Sequence, residues 1–184
     1  RDVERSRGLG DVYKRQEIPE DYRVELTELS NGQKVDSRIY PYLQEMFDAA
    51  RKDGIYPVVR EGYRTYDEQQ KILDDKIKAY INEGYSQSRA ERTAKEWVAL
   101  PGTSEHQLGI AVDINADKSK SSNDEVYTWL AANAHNYGFI LRYPQGKQEI
   151  TGTSYEPWHY RYVGVDAARE IYERGICLEE YFEQ

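Results

Sequence analysis

Helical and strand-like patterns follow one another in this chain without the regular strand–helix alternation of a parallel α/β sheet, which argues against that fold class. Apolar residues recur at helical spacing through 39–50 and 72–81, whereas residues 109–114 alternate as a half-buried strand does. No internal repeat or linker divides the patterned region. We therefore predict an α+β fold, a single compact domain in which helices flank a small, mainly antiparallel sheet.

The same patterns predict the individual elements. Helices are expected over 36–54, 67–84, 86–98, 126–138 and 166–174, and strands over 55–60, 109–114, 139–143 and 158–163. Asp36 and Asp67 are the predicted N-caps of the first two helices, because a carboxylate there accepts hydrogen bonds from free backbone N–H groups. The polar segment 17–33 predicts an extended stretch that ends in a turn.

Composition and charge limit the partners of the chain. Its formal net charge is -8, with 25 basic and 33 acidic side chains interspersed. Nucleic-acid binding requires a basic stripe that neutralises several phosphates, so we expect no such partner. No apolar run approaches the ~20 residues that cross a bilayer, so we expect no membrane span in this chain. With 39% apolar residues it can bury a core without disulfides, and we expect a monomer.

The single cysteine, Cys177, cannot form an internal disulfide, and no CxxC pair is available to hold a metal ion through sulfur. Its apolar neighbours predict a small buried side chain rather than a nucleophile. Any metal site must therefore use histidine and carboxylate ligands.

The first sixteen residues, RDVERSRGLGDVYKRQ, show no amphipathic period and no relation to the patterned chain that follows. They resemble translated sequencing-adapter read-through. We therefore expect residues 1–16 to be non-native and the domain to comprise residues 17–184. On this interpretation the native N-terminus, with any signal peptide or membrane anchor, is missing from the sequence given.

Two of the three histidines lie in segments rich in glycine, proline and polar residues. His106 stands shortly before the predicted strand that contains Asp113, and His159 follows Glu156-Pro157-Trp158. Catalytic zinc sites use three nitrogen or oxygen ligands and leave a fourth position open, so two histidines and an aspartate meet the requirement for Zn²⁺. A bend at the proline permits Glu156 to stand beside the ion as a general base.

Arg64, on a turn after a predicted strand, is the candidate to stabilise the oxyanion of a tetrahedral intermediate. Each of these residues also has a structural interpretation. A histidine near a strand is often a satisfied core residue, and Asp113 can cap a turn or pair with an arginine. Glu156 can be a solvated carboxylate, and Arg64 can pair with a neighbouring acid. His135, near a predicted helix C-terminus where a cation complements the dipole, is expected to be structural.

Three separated blocks resemble the VanY type of D-alanyl-D-alanine carboxypeptidase, a zinc peptidase family. They are Gly62-Tyr63-Arg64-Thr65 with Gln69, the block from Pro101 to Ile114 with its SxHxxGxAxD pattern, and Glu156-Pro157-Trp158-His159-Tyr160-Arg161-Tyr162. The resemblance spans position 17 to the C-terminus. It implies the compact α+β fold that this family shares with the hedgehog signalling domain and with D-Ala-D-Ala dipeptidases.

Carried over by position, the resemblance implies the zinc ligands and the base named above, and gives Arg64 the role of holding the oxyanion or the substrate. Gln69, Ser104 and Tyr143 fall where similar enzymes contact the terminal D-alanine or its carboxylate. Glu61 is a departure from the pattern, because a small residue such as serine is expected before Gly-Tyr-Arg. We expect this glutamate to alter substrate preference without removing a catalytic group.

The resemblance implies hydrolysis of the terminal D-alanyl-D-alanine bond of peptidoglycan stem peptides outside the cytoplasmic membrane, in the bacterial cell envelope. The same site would also serve an L,D-carboxypeptidase, a D,D-dipeptidase or a peptidoglycan endopeptidase. An alternative of another class is a non-catalytic peptidoglycan-binding module with a structural zinc ion. Glu156 and the open fourth coordination position argue against that module.

Overall fold

The computed structural model describes residues 18–19 and 21–183 of the chain. The helices in this part are α1 (Tyr40–Lys52), α2 (Tyr66–Asn82), α3 (Gln87–Trp97), α4 (Asn123–Asn133), α5 (Gln148–Thr151), α6 (Val165–Arg174) and α7 (Leu178–Phe182), with 3-10 helices at Glu105–Leu108 and Ala134–Tyr137. The strands are β1 (Leu26–Glu28), β2 (Lys34–Asp36), β3 (Pro57–Glu61), β4 (Ala111–Ala116), β5 (Phe139–Leu141) and β6 (His159–Tyr162). The prediction for residues 1–16 lies outside the described residues.

Four strands form one sheet in the order β3-β4-β6-β5, and each neighbouring pair is antiparallel. The predicted α+β fold with a small antiparallel sheet is therefore confirmed. The register of β4 and β6 places Asp113 opposite His159. A bulge between Val59 and Glu61 shifts the register at the end of β3, so Glu61 also lies opposite Asp113. Three strands thereby bring polar side chains together around one aspartate.

The main core lies between this sheet and helices α1 and α4. One face of α1 is buried through Leu43, Met46, Phe47 and Ala50, as the helical spacing predicted. Burying a side chain of the size of leucine or methionine contributes about 1.5–3 kcal/mol, so this face anchors the helix. Trp129 of α4 packs in the same cluster, and the sheet that carries the polar residues is thus held from behind by apolar packing.

The two predicted N-caps were wrong. Asp36 ends β2, and its carboxylate accepts a hydrogen bond from the Arg38 backbone N–H at 2.8 Å, so α1 begins further on. Thr65 caps α2 by accepting a hydrogen bond from the Glu68 backbone N–H at 3.1 Å, and the Glu68 carboxylate reaches back to the Thr65 N–H. This capping box satisfies two N–H groups, whereas Asp67 already lies within the first helical turn.

Several short elements were not predicted. The segment expected to be extended contains β1, which pairs with β2 as an antiparallel hairpin. Helices α5 and α7, of 4 and 5 residues, are too short to show a helical period in the sequence.

Cys177 is a buried free cysteine, as predicted. His135 stacks on Tyr172 at 3.6 Å between ring centroids. No helix in the described part of the chain is long and apolar enough to span a membrane.

Candidate metal centre and active site

Three elements carry the predicted metal ligands. His106 lies in the 3-10 helix Glu105–Leu108, Asp113 in β4 and His159 at the start of β6. The Ser104 hydroxyl caps the 3-10 helix by accepting a hydrogen bond from the His106 backbone N–H at 3.3 Å. Gly109 ends this helix in the left-handed region with φ of +80°, a conformation that glycine adopts without strain. The chain then turns into β4 and returns towards His106.

The ligand atoms of these residues converge on one point. Asp113 Oδ1 lies 3.3 Å from His106 Nε2 and 3.1 Å from His159 Nδ1, and the three atoms all lie within 4.8 Å of one another. Atoms bound ~2.0–2.2 Å from a tetrahedral zinc ion are about 3.3 Å apart, so these separations suit a shared ion. Asp113 Oδ1 is buried and has no well-aligned hydrogen bond from the described residues, as an oxygen that ligates a cation should be.

The second nitrogen of each imidazole is held by an acceptor. His106 Nδ1 donates a hydrogen bond to the carbonyl oxygen of Gly62 at 2.9 Å, and His159 Nε2 donates one to Glu105 at 3.4 Å. A carbonyl and a carboxylate accept only, so His106 Nδ1 and His159 Nε2 each carry a proton. The remaining nitrogens, His106 Nε2 and His159 Nδ1, face the point of convergence, an arrangement typical of metal-binding histidines.

Gly62 allows this orientation because the backbone is crowded there. A Cβ on Gly62 would lie 2.3 Å from the backbone oxygen of Lys34. The Gly62 N–H donates a hydrogen bond to the Gln33 side chain at 2.9 Å, and the Tyr63 N–H donates one to the Lys34 carbonyl at 2.6 Å. The β1–β2 hairpin thereby fixes the carbonyl that orients His106.

Glu156 stands beside the converging atoms. Its Oε2 lies 3.7 Å from His159 Nδ1, and its backbone N–H donates a hydrogen bond to the Tyr143 carbonyl at 3.1 Å. Burial raises the pKa of Glu156, and the nearby charge of Asp113 adds to the rise against the opposing effect of His159. A carboxylate with a raised pKa is a stronger proton acceptor than an ordinary glutamate.

The protonation of the three ligands follows from their surroundings. Burial lowers the pKa of His106, so its imidazole is neutral near pH 7. Burial also acts to lower the pKa of His159, but the nearby carboxylates of Asp113 and Glu105 outweigh it and raise that pKa to about 9. Burial acts to raise the pKa of Asp113, yet its contacts with the two histidines hold that pKa below the usual range. Without a cation the His159 imidazole is therefore protonated at neutral pH, and a cation that binds here must displace the proton on Nδ1.

Arg64 reaches the site from the turn after β3. Its Nη2 lies 4.0 Å from Asp113 Oδ2, and its Nε lies 3.5 Å from Glu61 Oε2. The Nη1 donates a hydrogen bond to the Gln69 side-chain oxygen at 3.2 Å, and the Gln69 amide donates one to the Ala99 carbonyl at 2.9 Å. Helix α2 thus holds the guanidinium in place over the candidate metal centre.

A cavity of about 440 Å³ opens over these residues, within the size range of pockets for small ligands. All eight candidate residues from the sequence line it: Arg64, Gln69, Ser104, His106, Asp113, Tyr143, Glu156 and His159. One wall is formed by the end of α3 and the loop after it, where Trp97 and Leu100 are exposed. The candidate ligands, base and substrate-contacting residues therefore share one pocket.

Glu105 is a site residue that sequence reasoning missed. It is buried, and its carboxylate accepts hydrogen bonds from Arg142 and Arg161 as well as from His159. Burial acts to raise the pKa of Glu105, but the two guanidiniums hold it well below the usual range. Its only signal in the sequence was its place directly before His106, which does not separate a buried glutamate from a solvated one.

Comparison with known proteins gives these residues a family context. The family model described as VanY, D-alanyl-D-alanine carboxypeptidase, matches residues 32–165. A D-alanyl-D-alanine carboxypeptidase of Enterococcus faecalis is 58% identical over 170 residues, which cover 92% of this chain. The chain spans 63% of the length of that relative.

Solved structures give the same result. VanYB in complex with D-alanine-D-alanine superposes with a TM-score of 0.89 and 57% identity, covering 93% of this chain and 94% of that one. A variant of the vancomycin resistance D,D-pentapeptidase VanY, in complex with Zn(II), gives a TM-score of 0.87 and 59% identity, covering 91% and 94% of the two chains. The matched family model, the sequence identity and the matched fold together show that this chain belongs to the VanY family of D-alanyl-D-alanine carboxypeptidases.

Proposed function

We propose that this chain is a zinc-dependent carboxypeptidase that hydrolyses the terminal D-alanyl-D-alanine bond of peptidoglycan stem peptides and releases D-alanine. The observation that carries the proposal is the convergence of ligand atoms from His106, Asp113 and His159 beside the Glu156 carboxylate. The solved relatives support the metal and the substrate, since one contains Zn(II) and another D-alanine-D-alanine.

The donor set fits zinc. Two imidazole nitrogens and one carboxylate oxygen, with no thiolate, are ligands that a catalytic zinc ion commonly takes. His106 Nε2, Asp113 Oδ1 and His159 Nδ1 would hold the ion. When bound, zinc polarises the scissile carbonyl and lowers the pKa of a water molecule to about 7. Gly62 and Glu105 keep the two imidazoles in the tautomers that this binding requires.

Glu156 is the proposed general base. It accepts the proton of the attacking water while the amide carbon becomes tetrahedral, and it returns that proton to the leaving amine of D-alanine. Such a proton transfer contributes typically ~10²–10⁴-fold to the rate. The partly buried setting and the raised pKa of Glu156 suit both halves of this task, because the group must gain and lose a proton near neutral pH.

Arg64 supplies the positive charge that the reaction needs. Its guanidinium stabilises either the developing oxyanion or the terminal carboxylate of the substrate, and arginine–carboxylate pairs are frequently bidentate. Gln69 holds the arginine, and Ser104 and Tyr143 line the same cavity, where they would contact the terminal D-alanine. A free carboxylate next to the cleaved bond is the feature that distinguishes a carboxypeptidase substrate.

The proposed substrate fixes the proposed location. Stem peptides of the cell wall lie outside the cytoplasmic membrane, so we place the activity in the bacterial cell envelope. One chain supplies the metal ligands, the base and the arginine of the proposed site, so the proposed reaction requires no partner subunit and we expect a monomer. The net charge of -8 supports the absence of a nucleic-acid partner.

Release of D-alanine from a synthetic stem pentapeptide tests the proposal. The zinc-loaded protein is expected to release D-alanine, and Glu156→Ala is expected to slow release at least about 10²-fold. Glu149→Ala, which changes an exposed glutamate of α5, is the matched control and should keep the wild-type rate. Equal rates for Glu156→Ala and the wild type would eliminate the proposed base.

Parallel digests separate the alternatives. Cleavage of a tetrapeptide stem in preference to the pentapeptide would indicate an L,D-carboxypeptidase, and cleavage of free D-Ala-D-Ala a dipeptidase. Cleavage of cross-linked stems would indicate an endopeptidase. Binding of stem peptides without turnover, in the presence of zinc, would indicate a non-catalytic module.

A further inference from the structure

Four charged side chains form a buried array behind the candidate metal centre. They are Glu105 of the 3-10 helix, Arg142 directly after β5, Arg161 of β6 and Glu179 of α7. Each is at most 7% exposed. Charged side chains are rarely buried unless they are paired, because burying one alone is strongly unfavourable, so the contacts within the array decide whether it is tolerated.

The contacts form a continuous path from the C-terminal helix to a candidate metal ligand. Glu179 pairs with Arg142, and Arg142 donates a hydrogen bond from Nε to Oε1 of Glu105. The same oxygen accepts a hydrogen bond from Arg161 Nη1 at 3.2 Å. The other oxygen of Glu105, Oε2, accepts the hydrogen bond of His159 at 3.4 Å.

The formal charges of the four side chains cancel, since two are carboxylates and two are guanidiniums. Without Glu179 the remaining three would carry a net charge of +1 beside His159. A positive charge in a poorly solvated site disfavours a cation bound a few ångströms away. Loss of Glu179 would also leave Glu105 as the carboxylate of the array that pairs with Arg142. Glu105 would then be a weaker acceptor for the N–H of the His159 imidazole.

We propose that Glu179 is a positioning residue of the metal centre. Through Arg142 it balances the charge of the array and keeps Glu105 available to His159. Helix α7 therefore contributes to zinc affinity, although none of its residues lines the described cavity. This inference rests on the proposed function, because it concerns the same zinc site. A purely structural role for Glu179 would consist of anchoring α7, and its loss would then lower stability without changing zinc affinity.

The test is the zinc dissociation constant of the full chain, measured by chelator competition at neutral pH. Glu179→Gln is expected to weaken zinc binding about tenfold or more, the usual effect of changing an outer partner of a ligand. Glu183→Gln, an exposed glutamate just beyond α7, is the matched control and should stay within about twofold of wild type. The double variant Arg142→Met/Glu179→Gln restores charge balance and should recover most of the lost affinity.

Melting temperatures of the same proteins distinguish stability from positioning. An unchanged zinc dissociation constant for Glu179→Gln, with a lower melting temperature, would overturn the inference. So would a double variant that binds zinc as weakly as Glu179→Gln. Should Glu179→Gln not fold, the double variant alone decides: zinc binding within about threefold of wild type supports charge balance, and a loss of about tenfold contradicts it. A wild-type protein that does not bind zinc would instead refute the proposed function.

Discussion

Asp113 and His159 lie directly opposite each other on β4 and β6, with Asp113 Oδ1 3.1 Å from His159 Nδ1. Opposed residues on antiparallel strands hold their side chains close together, so the strand register alone places a carboxylate beside an imidazole. His106 reaches the same point from a 3-10 helix outside the sheet. The proposed centre thus combines a rigid pair on the sheet with a third ligand whose position depends on the surrounding turns.

Removing the carboxylate charge at the centre should abolish tight zinc binding. Asp113→Asn keeps the shape of the side chain but replaces the anionic oxygen with a neutral amide, a much weaker ligand for zinc. We expect the zinc dissociation constant, measured by chelator competition, to rise at least about 10²-fold. This is more than the expected effect of changing a residue that only hydrogen-bonds to a ligand. Asp117→Asn, just after β4, is the control and should leave it unchanged. Equal affinities for the Asp113→Asn and wild-type proteins would exclude this ligand.

Gly62→Ala should lower both stability and zinc affinity. The added Cβ would collide with the Lys34 carbonyl at 2.3 Å, so the backbone must shift and carry away the oxygen that orients His106. Overpacking of this kind costs typically 1–3 kcal/mol. Gly54→Ala is the control, because it has φ of +77° and open space around the new Cβ. It should lower the free energy of unfolding without weakening zinc binding; a Gly62→Ala protein with wild-type zinc affinity would contradict the account.

Glu61 should compete with the substrate for Arg64. Its carboxylate lies 3.5 Å from the Arg64 Nε and is 40% exposed, so the pair is worth about 1 kcal/mol or less. Glu61→Ser and Glu61→Gln should therefore lower the KM for a stem pentapeptide by up to about fivefold, with kcat little changed. Steady-state kinetics of both variants provide the measurement. A raised KM in both would show that this glutamate helps to hold the substrate.

The stability of the metal-free protein should depend on Glu105 in a defined range of pH. Burial acts to raise the pKa of Glu105 in the folded protein, but the positive charges of Arg142 and Arg161 lower it by more. The folded pKa therefore lies well below the unfolded value of about 4.3. The unfolded carboxyl therefore binds a proton at a higher pH than the folded one. The stabilisation of the folded state by ionised Glu105 is complete above about pH 5. It is lost as the pH falls through the unfolded and then the folded pKa of this carboxyl group.

Urea denaturation of the wild type and Glu105→Gln measures this effect. We expect a difference in the free energy of unfolding of about 3–5 kcal/mol at neutral pH, since the variant leaves two buried guanidiniums without this carboxylate. The difference should shrink at about pH 4 and below. A difference that stays constant from neutral to acidic pH would show that Glu105 does not act through its charge.

The proposed ligands could be found from the sequence because their chemistry restricts the choice. The chain has three histidines and one cysteine, so few side chains could form a metal site, and two of these histidines lie in segments rich in glycine and proline. The alternation of polar and apolar residues around Asp113 placed it on a strand shortly after His106. Residue type and period carry this information locally, without knowledge of the fold.

Other features depend on contacts between distant segments. Glu105 resembles any surface glutamate until Arg142 and Arg161, from two other segments, are seen to enclose it. Likewise, Thr65 and Asp67 are both good N-cap residues, and the capping box with Glu68 decides between them. Such competition between equally suitable residues is settled by geometry that a local pattern does not contain.

A crystal structure of the zinc-loaded protein, with the ion identified by anomalous scattering, would show whether these three residues hold one zinc ion. We predict one zinc ion bonded to His106 Nε2, Asp113 Oδ1 and His159 Nδ1 at ~2.0–2.2 Å, with Glu156 near the ion but not bonded to it. Zinc bound at another place, or these three side chains more than about 6 Å apart and unable to share an ion, would contradict the account.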